Sequence, residues 1–140
     1  MKNTNTYLIF DGNCRQAMEF YKRCLGGELH MVTYSEMPGG GSDFPQECKD
    51  WIMHARLITG PAVLMASDTR PGIRISQGNN FFISINCENV KEAEKLFKAL
   101  GEKGETTMPL QETFFALRFG MLTDQFGIKW MFNLDKPTEK

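Results

Sequence analysis

Residues 6–25 read TYLIFDGNCRQAMEFYKRCL, and residues 81–100 read FFISINCENVKEAEKLFKAL. Each stretch begins with a short apolar run that predicts a strand. Apolar residues then recur three and four positions apart, which predicts amphipathic helices over residues 13–25 and 89–100. Matched residues lie 76 positions apart in the two helices, namely Asn13, Ala17 and Tyr21 with Asn89, Ala93 and Phe97. The chain therefore contains an internal repeat of a strand and a helix.

Flanking residues predict where both helices begin and end. An asparagine precedes each helix, and Gln16 or Glu92 follows it three residues later, which is the pattern of a capping box. Gly26 and Gly101 follow the last helical turns, where glycine commonly ends a helix.

Three further strand-like runs follow each helix, so the order βαβββ occurs twice. The runs cover residues 28–35, 51–59 and 62–67 after the first helix, and residues 105–110, 113–122 and 128–134 after the second. This order predicts one α+β domain over residues 1–140. Module one spans about residues 1–68, a linker about 69–79, and module two about 80–140.

Composition argues against several classes of partner. The chain has 16 lysines and arginines against 17 aspartates and glutamates, and without a basic run it offers no surface for nucleic acid. No apolar run approaches the ~20 residues that a membrane span needs. Residues 1–6 are polar and lack the apolar core of a signal peptide, so we expect a cytoplasmic protein.

The cysteines Cys14, Cys24, Cys48 and Cys87 form no Cys-x-x-Cys pair, which argues against a thioredoxin-type or zinc-ribbon motif. In the cytoplasm we expect reduced thiols. A helix N-terminus can lower a thiol pKa, but Cys14 has no identifiable basic partner, so we expect it to be inert. The glycines form neither a phosphate-binding loop nor a dinucleotide fingerprint, and the absence of a glycine-rich nucleotide loop argues against methyltransferase activity.

Six motifs occur in an order that resembles a known family. They are YLIFDGNC at 7–14, AMEFY at 17–21, LG at 25–26, HA at 54–55, LMASD at 64–68 and TDQFGIKW at 123–130. The chain resembles the vicinal oxygen chelate superfamily, which includes glyoxalase I, extradiol dioxygenases, and fosfomycin- and bleomycin-resistance proteins. Within the superfamily it is most similar to the PhnB-like branch. Because one fold hosts many chemistries, the resemblance is more specific for fold than for function.

The resemblance implies that each module's mixed sheet curls into half a cup, with its helix on the convex face and a ligand in the concave face. It also implies a homodimer. Metal-dependent members place one metal ligand, usually histidine, glutamine or glutamate, on the first and last strand of each module. The corresponding residues here, Thr6, Met65, Phe82 and Met131, do not suit the metals of these enzymes, so we expect no metal and no cofactor.

Alternation along each strand divides its residues between the two faces of the sheet. Apolar residues at alternate positions, such as Ala55, Leu57, Phe119 and Met121, are expected on the helix side. The intervening residues are expected in the cup, and the 76-residue offset extends this assignment to the first strand. The predicted ligand-binding residues are Thr6, Leu8, Phe10, His54, Arg56, Met65, Ser67, Phe82, Ser84, Arg118 and Met131.

Two interpretations stay open for each polar candidate. Arg56 and Arg118 either clamp a carboxylate or phosphate, or are exposed or salt-bridged strand residues. His54 is either an acid or base in the cup or a hydrogen-bonded structural residue. The glycine-rich residues 36–50 form either a lid over a site or a surface loop. Asp124 is expected to cap a turn.

The sequence supports one leading hypothesis and two alternatives. The leading hypothesis is metal-independent binding of a small, partly apolar molecule that can carry an anionic group. The first alternative is a lyase, isomerase or transferase that holds a divalent metal at displaced ligands, with His54 and Asp68, Glu28 or His30 as candidates. The second is a dimeric structural module whose cup is filled by its own side chains, such as Phe82. Otherwise we expect Asp68 to cap a turn and His30 to be exposed.

Overall fold

The computed structural model describes residues 1–37 and 44–137, and the chain divides into two compact units. The first unit spans Met1–Ser76 and the second Gln77–Lys140. Across the described residues, each unit contains one four-stranded mixed sheet and one α-helix in the order βαβββ. The predicted α+β fold with duplicated βαβββ modules is therefore confirmed. In the same residues, no helix is both long enough and apolar enough to cross a membrane.

The first unit is built from β1 (Thr6–Phe10), α1 (Cys14–Leu25), β2 (Glu28–Thr33), β3 (Ile52–Thr59) and β4 (Ala62–Asp68). Its strand order is β1-β4-β3-β2, in which β1 is parallel to β4 and the other neighbours are antiparallel. A parallel neighbour needs a long crossover connection, and the helix with the two strands after it supplies that connection.

The second unit repeats this plan with β5 (Ile83–Asn86), α2 (Val90–Leu100), β6 (Glu105–Gln111), β7 (Ala116–Thr123) and β8 (Lys129–Asp135). Its strand order is β5-β8-β7-β6, and β5 is parallel to β8. The same pairing pattern in both sheets is the structural counterpart of the sequence repeat.

β7 begins at residue 116 and not, as predicted, at residue 113, because the chain turns first. The Thr113 amide donates to the Ala116 carbonyl at 3.0 Å, and the Ala116 amide donates to the Thr113 hydroxyl at 3.1 Å. Phe114 and Phe115 lie in this turn and are exposed. Their aromatic side chains favour a strand, but a local pairing of side chain and backbone overrides that preference.

The core of the first unit lies between α1 and the middle of its sheet. Tyr21 on α1 is fully buried, and α1 packs against β2, β3 and β4. The register places Ala55 beside Ala66 and Leu57 beside Leu64, and all four are buried. These residues therefore define the helix side of the first sheet, where each large apolar side chain contributes roughly 1.5–3 kcal/mol by leaving water.

The core of the second unit depends on a close approach between α2 and its sheet. The Phe97 ring contacts the Phe132 ring edge-on with centroids 5.2 Å apart, and Gly120 lies beside Phe132 in the register. A Cβ atom on residue 120 would lie 2.9 Å from the Phe97 ring and 3.0 Å from the Leu110 Cα atom. Only glycine leaves room for both neighbours at this position.

The N-terminus of α1 is capped by Asp68 and not, as the sequence predicts, by Asn13. The Asn13 side chain makes no capping hydrogen bond. Asp68 Oδ1 instead accepts the backbone amides of Gly12 at 2.8 Å and Cys14 at 3.0 Å. A carboxylate suits this place because the first amides of a helix lack partners and carry partial positive charge. The predicted capping box of α1 is therefore wrong.

Asp68 also holds other parts of the first unit. Its Oδ2 atom accepts the Ile52 amide at the start of β3 at 2.8 Å, and its carbonyl accepts the Tyr34 hydroxyl at 2.9 Å. The residue is only 2% exposed. One buried side chain at the end of β4 thus connects the beginnings of α1 and β3.

α2 has the cap that its sequence predicts, with one difference. The Asn89 side chain accepts the Glu92 amide at 2.8 Å, as in a capping box. The Glu92 carboxylate accepts the Glu88 amide at 3.0 Å, one residue before the amide that the motif predicts.

The predicted lid is described only at its two ends, and the glycines at 39–41 lie outside the described residues. Short 3-10 turns cover Tyr34–Glu36 and Gln46–Cys48. Between them the Phe44 ring stacks on the Tyr34 ring with centroids 4.3 Å apart. This contact joins the described end of the segment to the residue that bonds Asp68.

Replacement of Asp68 by alanine is expected to lower the free energy of unfolding by about 3 kcal/mol or more, because three backbone amides lose a charged acceptor. Urea denaturation followed by circular dichroism measures this loss. The exposed Asp11→Ala variant is the control and is expected to change stability by less than about 0.5 kcal/mol. Equal stability of the two variants would contradict the role given to Asp68.

Candidate functional site

Each sheet has one side under its helix and one side without a helix. In the first unit the register places Tyr7 and Arg56 on either side of Met65, and Ile9 beside Ser67. His54 precedes the helix-side residue Ala55, so it points to the same side as these residues. We call this surface the helix-free face of the first sheet. It comprises Tyr7, Ile9, His54, Arg56, Met65 and Ser67.

Three predicted ligand-binding residues of β1 lie on the helix side instead, namely Thr6, Leu8 and Phe10. The register pairs Leu8 with the buried Ala66, and Phe10 is 2% exposed. The neighbouring Tyr7, which would face the helix if Thr6 and Leu8 faced the cup, is 44% exposed. The predicted orientation of β1 is therefore wrong, and its true outward residue is Tyr7.

The reason for this error lies in the connection between strand and helix. The 76-residue offset matches the buried Phe10 to the exposed Asn86, although the same offset matches the helices correctly. Gly12 in the first connection has a φ of 92°, whereas no residue at positions 87–89 has a positive φ. The two connections between strand and helix therefore turn differently. For this reason the 76-residue offset that matches the helices does not predict which face of the sheet each strand residue occupies.

The predicted orientation of Arg118 is also wrong. The register pairs Gly120 with Phe132 on the helix side, and two residues along each strand it pairs Arg118 with Leu134. The Arg118 Nη1 atom donates to the Leu117 carbonyl at 2.7 Å. Arg118 therefore lies on the helix side of the second sheet, and the prediction that it faces a ligand is wrong.

The same reversal applies to the apolar residues of β7. Phe119 and Met121 are half-buried on the helix-free side, where Met121 lies beside Met131. The Phe119 ring contacts the exposed Phe115 ring edge-on with centroids 5.1 Å apart. Phe119 and Met121, which were expected on the helix side, thus lie on the other side of the sheet.

A tyrosine–histidine pair crosses the helix-free face of the first sheet. The Tyr7 hydroxyl lies 3.4 Å from His54 Nδ1, and the two ring centroids are 5.9 Å apart. Because β4 lies between β1 and β3, the two side chains meet above β4. When Tyr7 donates to Nδ1, the imidazole carries its proton on Nε2, which is then a donor for another group. Tyr7 is not among the residues predicted to bind a ligand, although its ring with a polar hydroxyl tip was an available signal for a hydrogen-bonding role.

A positive charge lies beside this pair. Arg56 is exposed and, in the register, lies beside Met65 on one side and His30 on the other. His30 is exposed, as predicted, and its Nε2 atom lies 3.1 Å from Glu28 Oε1. Exposed pairs of this kind contribute at most about 1 kcal/mol, so this pair does not hold the fold together.

The remaining predicted residues belong to the second unit. Ser84 lies beside Met131 on the helix-free side of the second sheet. Phe82 precedes β5 and is 38% exposed.

The residues that the resemblance aligns with the family's metal ligands do not fit a divalent metal here; they are Thr6, Met65, Phe82 and Met131. Thr6 lies on the helix side, and the helix-free sides of the parallel strand pairs place Tyr7 beside Met65 and Ser84 beside Met131. Thioethers and neutral hydroxyls are poor ligands for magnesium, manganese or zinc. Within residues 1–37 and 44–137, no three histidine, cysteine, aspartate or glutamate side chains come together as a metal site.

Asp68 does not serve as a displaced ligand together with His54. It lies beside Phe10 on the helix side, and its two carboxylate oxygens accept three backbone amides. His54 lies on the other side of the sheet. The predicted combination of His54 with Asp68 at one metal ion is therefore wrong.

The thiol at the start of α1 is not activated. Burial, followed by the neighbouring Asp68 carboxylate, raises the pKa of Cys14 to about 12. Burial, followed by the Glu92 carboxylate, raises the pKa of Cys87 to about 11. Both thiols stay protonated at neutral pH, in agreement with the prediction that Cys14 is inert.

Comparison with known proteins gives matches over nearly the whole chain. The family model of the glyoxalase/bleomycin resistance protein/dioxygenase superfamily matches residues 4–132. Protein YjdN of Escherichia coli strain K12 is 35% identical over 143 residues, which cover 95% of this chain and 97% of that protein.

Two solved structures are also similar. Protein PA1353 from Pseudomonas aeruginosa is 43% identical, with a TM-score of 0.87 over 98% of this chain and 100% of that chain. A putative 3-demethylubiquinone-9 3-methyltransferase, PhnB protein, from Bacillus cereus is 24% identical, with a TM-score of 0.76 over 95% of this chain and 99% of that chain. At that identity the second likeness shows the fold alone.

Alkylation by iodoacetamide at pH 8 is expected to leave Cys14 and Cys87 unmodified in the folded protein, while the half-buried Cys24 reacts first. With a pKa near 12, only about one Cys14 thiol in ten thousand is ionised at that pH. Peptide mass spectrometry measures the modification of each cysteine. In concentrated urea all four are expected to react, and modification of native Cys14 at the rate of Cys24 would contradict its burial.

Proposed function

Because the chain belongs to the glyoxalase/bleomycin resistance protein/dioxygenase superfamily, we propose that it binds a small, partly apolar molecule with an anionic group, and does so without a metal. The observation that carries this proposal is the composition of the helix-free face of the first sheet. There the exposed Arg56 and the Tyr7–His54 pair lie next to the apolar Ile9 and Met65. Small-molecule sites typically combine apolar walls with a few polar groups of this kind.

Each group of residues on this face matches one chemical feature of the proposed ligand. Ile9 is 44% exposed, so an apolar ligand body that covers it gains about 25 cal/mol for each Å² removed from water. The Arg56 guanidinium offers two parallel donors to a carboxylate or phosphonate. His54 contributes a third donor through Nε2 when Nδ1 accepts from Tyr7. These residues supply hydrogen-bond donors and an apolar surface, so binding or sequestration is the function that they support best.

The donor set of the strands supports independence from metal. The family positions carry thioether, hydroxyl and aromatic groups, and a ligand held by Arg56 and His54 needs no Lewis acid. Ligand affinity is therefore expected to be the same in the presence of a chelator and of added manganese or zinc.

We also propose that the protein is a cytoplasmic homodimer. Cys14, Cys48 and Cys87 are buried as thiols, which fits a reducing compartment. The dimer follows from the resemblance to superfamily members of this size. Light scattering is expected to give about 32 kDa, which is twice the chain mass of 16.0 kDa, and a mass of one chain would contradict the dimer.

Replacement of Arg56 by alanine is expected to weaken the binding of benzoate and phenylphosphonate roughly tenfold, because a charge-assisted pair is lost. Chemical-shift titration of the labelled protein measures the dissociation constants and shows which residues respond. Responses are expected at Ile9, His54 and Met65.

The matched control is Arg15→Ala, which removes an exposed arginine from α1 and is expected to leave both affinities unchanged. Equal weakening by the two variants would show that only net charge matters. Absence of any response on the helix-free face of the first sheet would contradict the proposed function.

A further inference from the structure

Ser67 is an unusual residue of the helix-free face of the first sheet. It lies beside Ile9 on the neighbouring strand, and the register of Ala55 with Ala66 brings His54 to the same level on the other side. Although it points away from the helix, Ser67 is only 7% exposed. A polar side chain therefore lies in a covered position between an apolar neighbour and an imidazole.

The Ser67 hydroxyl has no hydrogen-bond partner among the described residues, which distinguishes it from the other buried polar side chains. The Asp68 carboxylate accepts three hydrogen bonds and the Asp124 carboxylate at least three, and the Thr69 hydroxyl donates to the Ile73 carbonyl at 3.2 Å. Buried polar groups in proteins are almost always paired, so an unpaired one needs a reason.

The Ser67 hydroxyl is largely buried but is not completely inaccessible to solvent. Among the described residues, no side-chain nitrogen or oxygen without a partner is completely inaccessible. The Ser67 Oγ atom therefore keeps a small contact with solvent on this face. The Tyr7 hydroxyl and His54 Nδ1 already face each other nearby, so the Ser67 hydroxyl is a donor that remains unused on this face.

These facts restrict what can lie over Ser67. An apolar ligand group there would exclude solvent and leave the hydroxyl buried without a partner, which is unfavourable. A group with an accepting oxygen would instead complete its hydrogen bonding. Sites built around such a group discriminate strongly between ligands that have and lack the matching atom.

We infer that Ser67 is the specificity-determining residue of the proposed site, and that the ligand is a small carboxylic acid whose carboxylate oxygen accepts from the Ser67 hydroxyl. This inference rests on the proposed function. The second carboxylate oxygen is then available to Arg56, and the apolar body of the acid covers Ile9 and Met65. The ligand class is thus a monocarboxylate with an apolar body.

The experiment uses benzoate as the probe and follows its binding to the labelled full chain by chemical-shift titration. Ser67→Ala is expected to weaken binding about tenfold, and Ser67→Thr, which keeps a hydroxyl, is expected to stay within about threefold of the original chain. The matched control Ser76→Ala, at an exposed serine outside the site, is expected to bind benzoate unchanged.

A stability measurement separates a binding role from a structural one. Because the Ser67 hydroxyl has no internal partner, the thermal midpoint of Ser67→Ala is expected to lie within about 2 °C of the original or above it. A clearly lower midpoint would reveal a structural bond and overturn the inference.

The binding results distinguish a failure of the inference about Ser67 from a failure of the proposed function. If Ser67→Ala binds benzoate as tightly as the original chain while Arg56→Ala binds it more weakly, the inference about Ser67 is wrong and the proposed function stands. If benzoate produces no response on the helix-free face of the first sheet while phenylphosphonate does, the carboxylate class is wrong. If neither probe produces a response there, both the inference and the proposed function are wrong.

Discussion

The buried Asp68 carboxylate is the interaction on which the first unit depends. Two elements that are distant from it in sequence, the start of α1 and the start of β3, converge on this residue at the end of β4. A charge in a position that is 2% exposed is tolerable only when its oxygens are fully paired, and here backbone amides provide that pairing. Because Asp68 is drawn to the helix side, its neighbour Ser67 must point to the opposite side. The aspartate thereby also determines which residues form the candidate site.

The second unit also contains a buried aspartate that accepts backbone amides, but this aspartate lies at a different place in the module. Asp124 lies in the turn between β7 and β8, where it accepts the amides of Phe126 and Ile128 and the indole of Trp130. These three partners lie within six residues of Asp124, whereas the partners of the Asp68 carboxylate lie up to 56 residues away. The repeat thus conserves the order of elements but not the interactions that hold each copy together.

This contrast explains which predictions from the sequence succeeded. The helices, the order of strands and the cap of α2 depend on local patterns, and each is confirmed. The cap of α1 was mispredicted because its acceptor comes from the end of β4. The faces of β1 and β7 were mispredicted because all of β1 is apolar or weakly polar and because Phe119 and Met121 of β7 lie on the helix-free side. Gly120 was the local signal for the true helix side of β7, because the missing side chain leaves room for the Phe97 ring of α2.

Each unit contains one of the chain's two tryptophans, and each indole lies close to the aspartate network of its own unit. Trp51 lies against Gly12, whose amide bonds Asp68, and Trp130 donates directly to Asp124 at 2.8 Å. Indole fluorescence is sensitive to the surrounding polarity. A chain with only Trp51 and a chain with only Trp130 would therefore report optically on two separate halves of the molecule. The loss of order in one copy of the repeat could then be timed against the other without any attached dye.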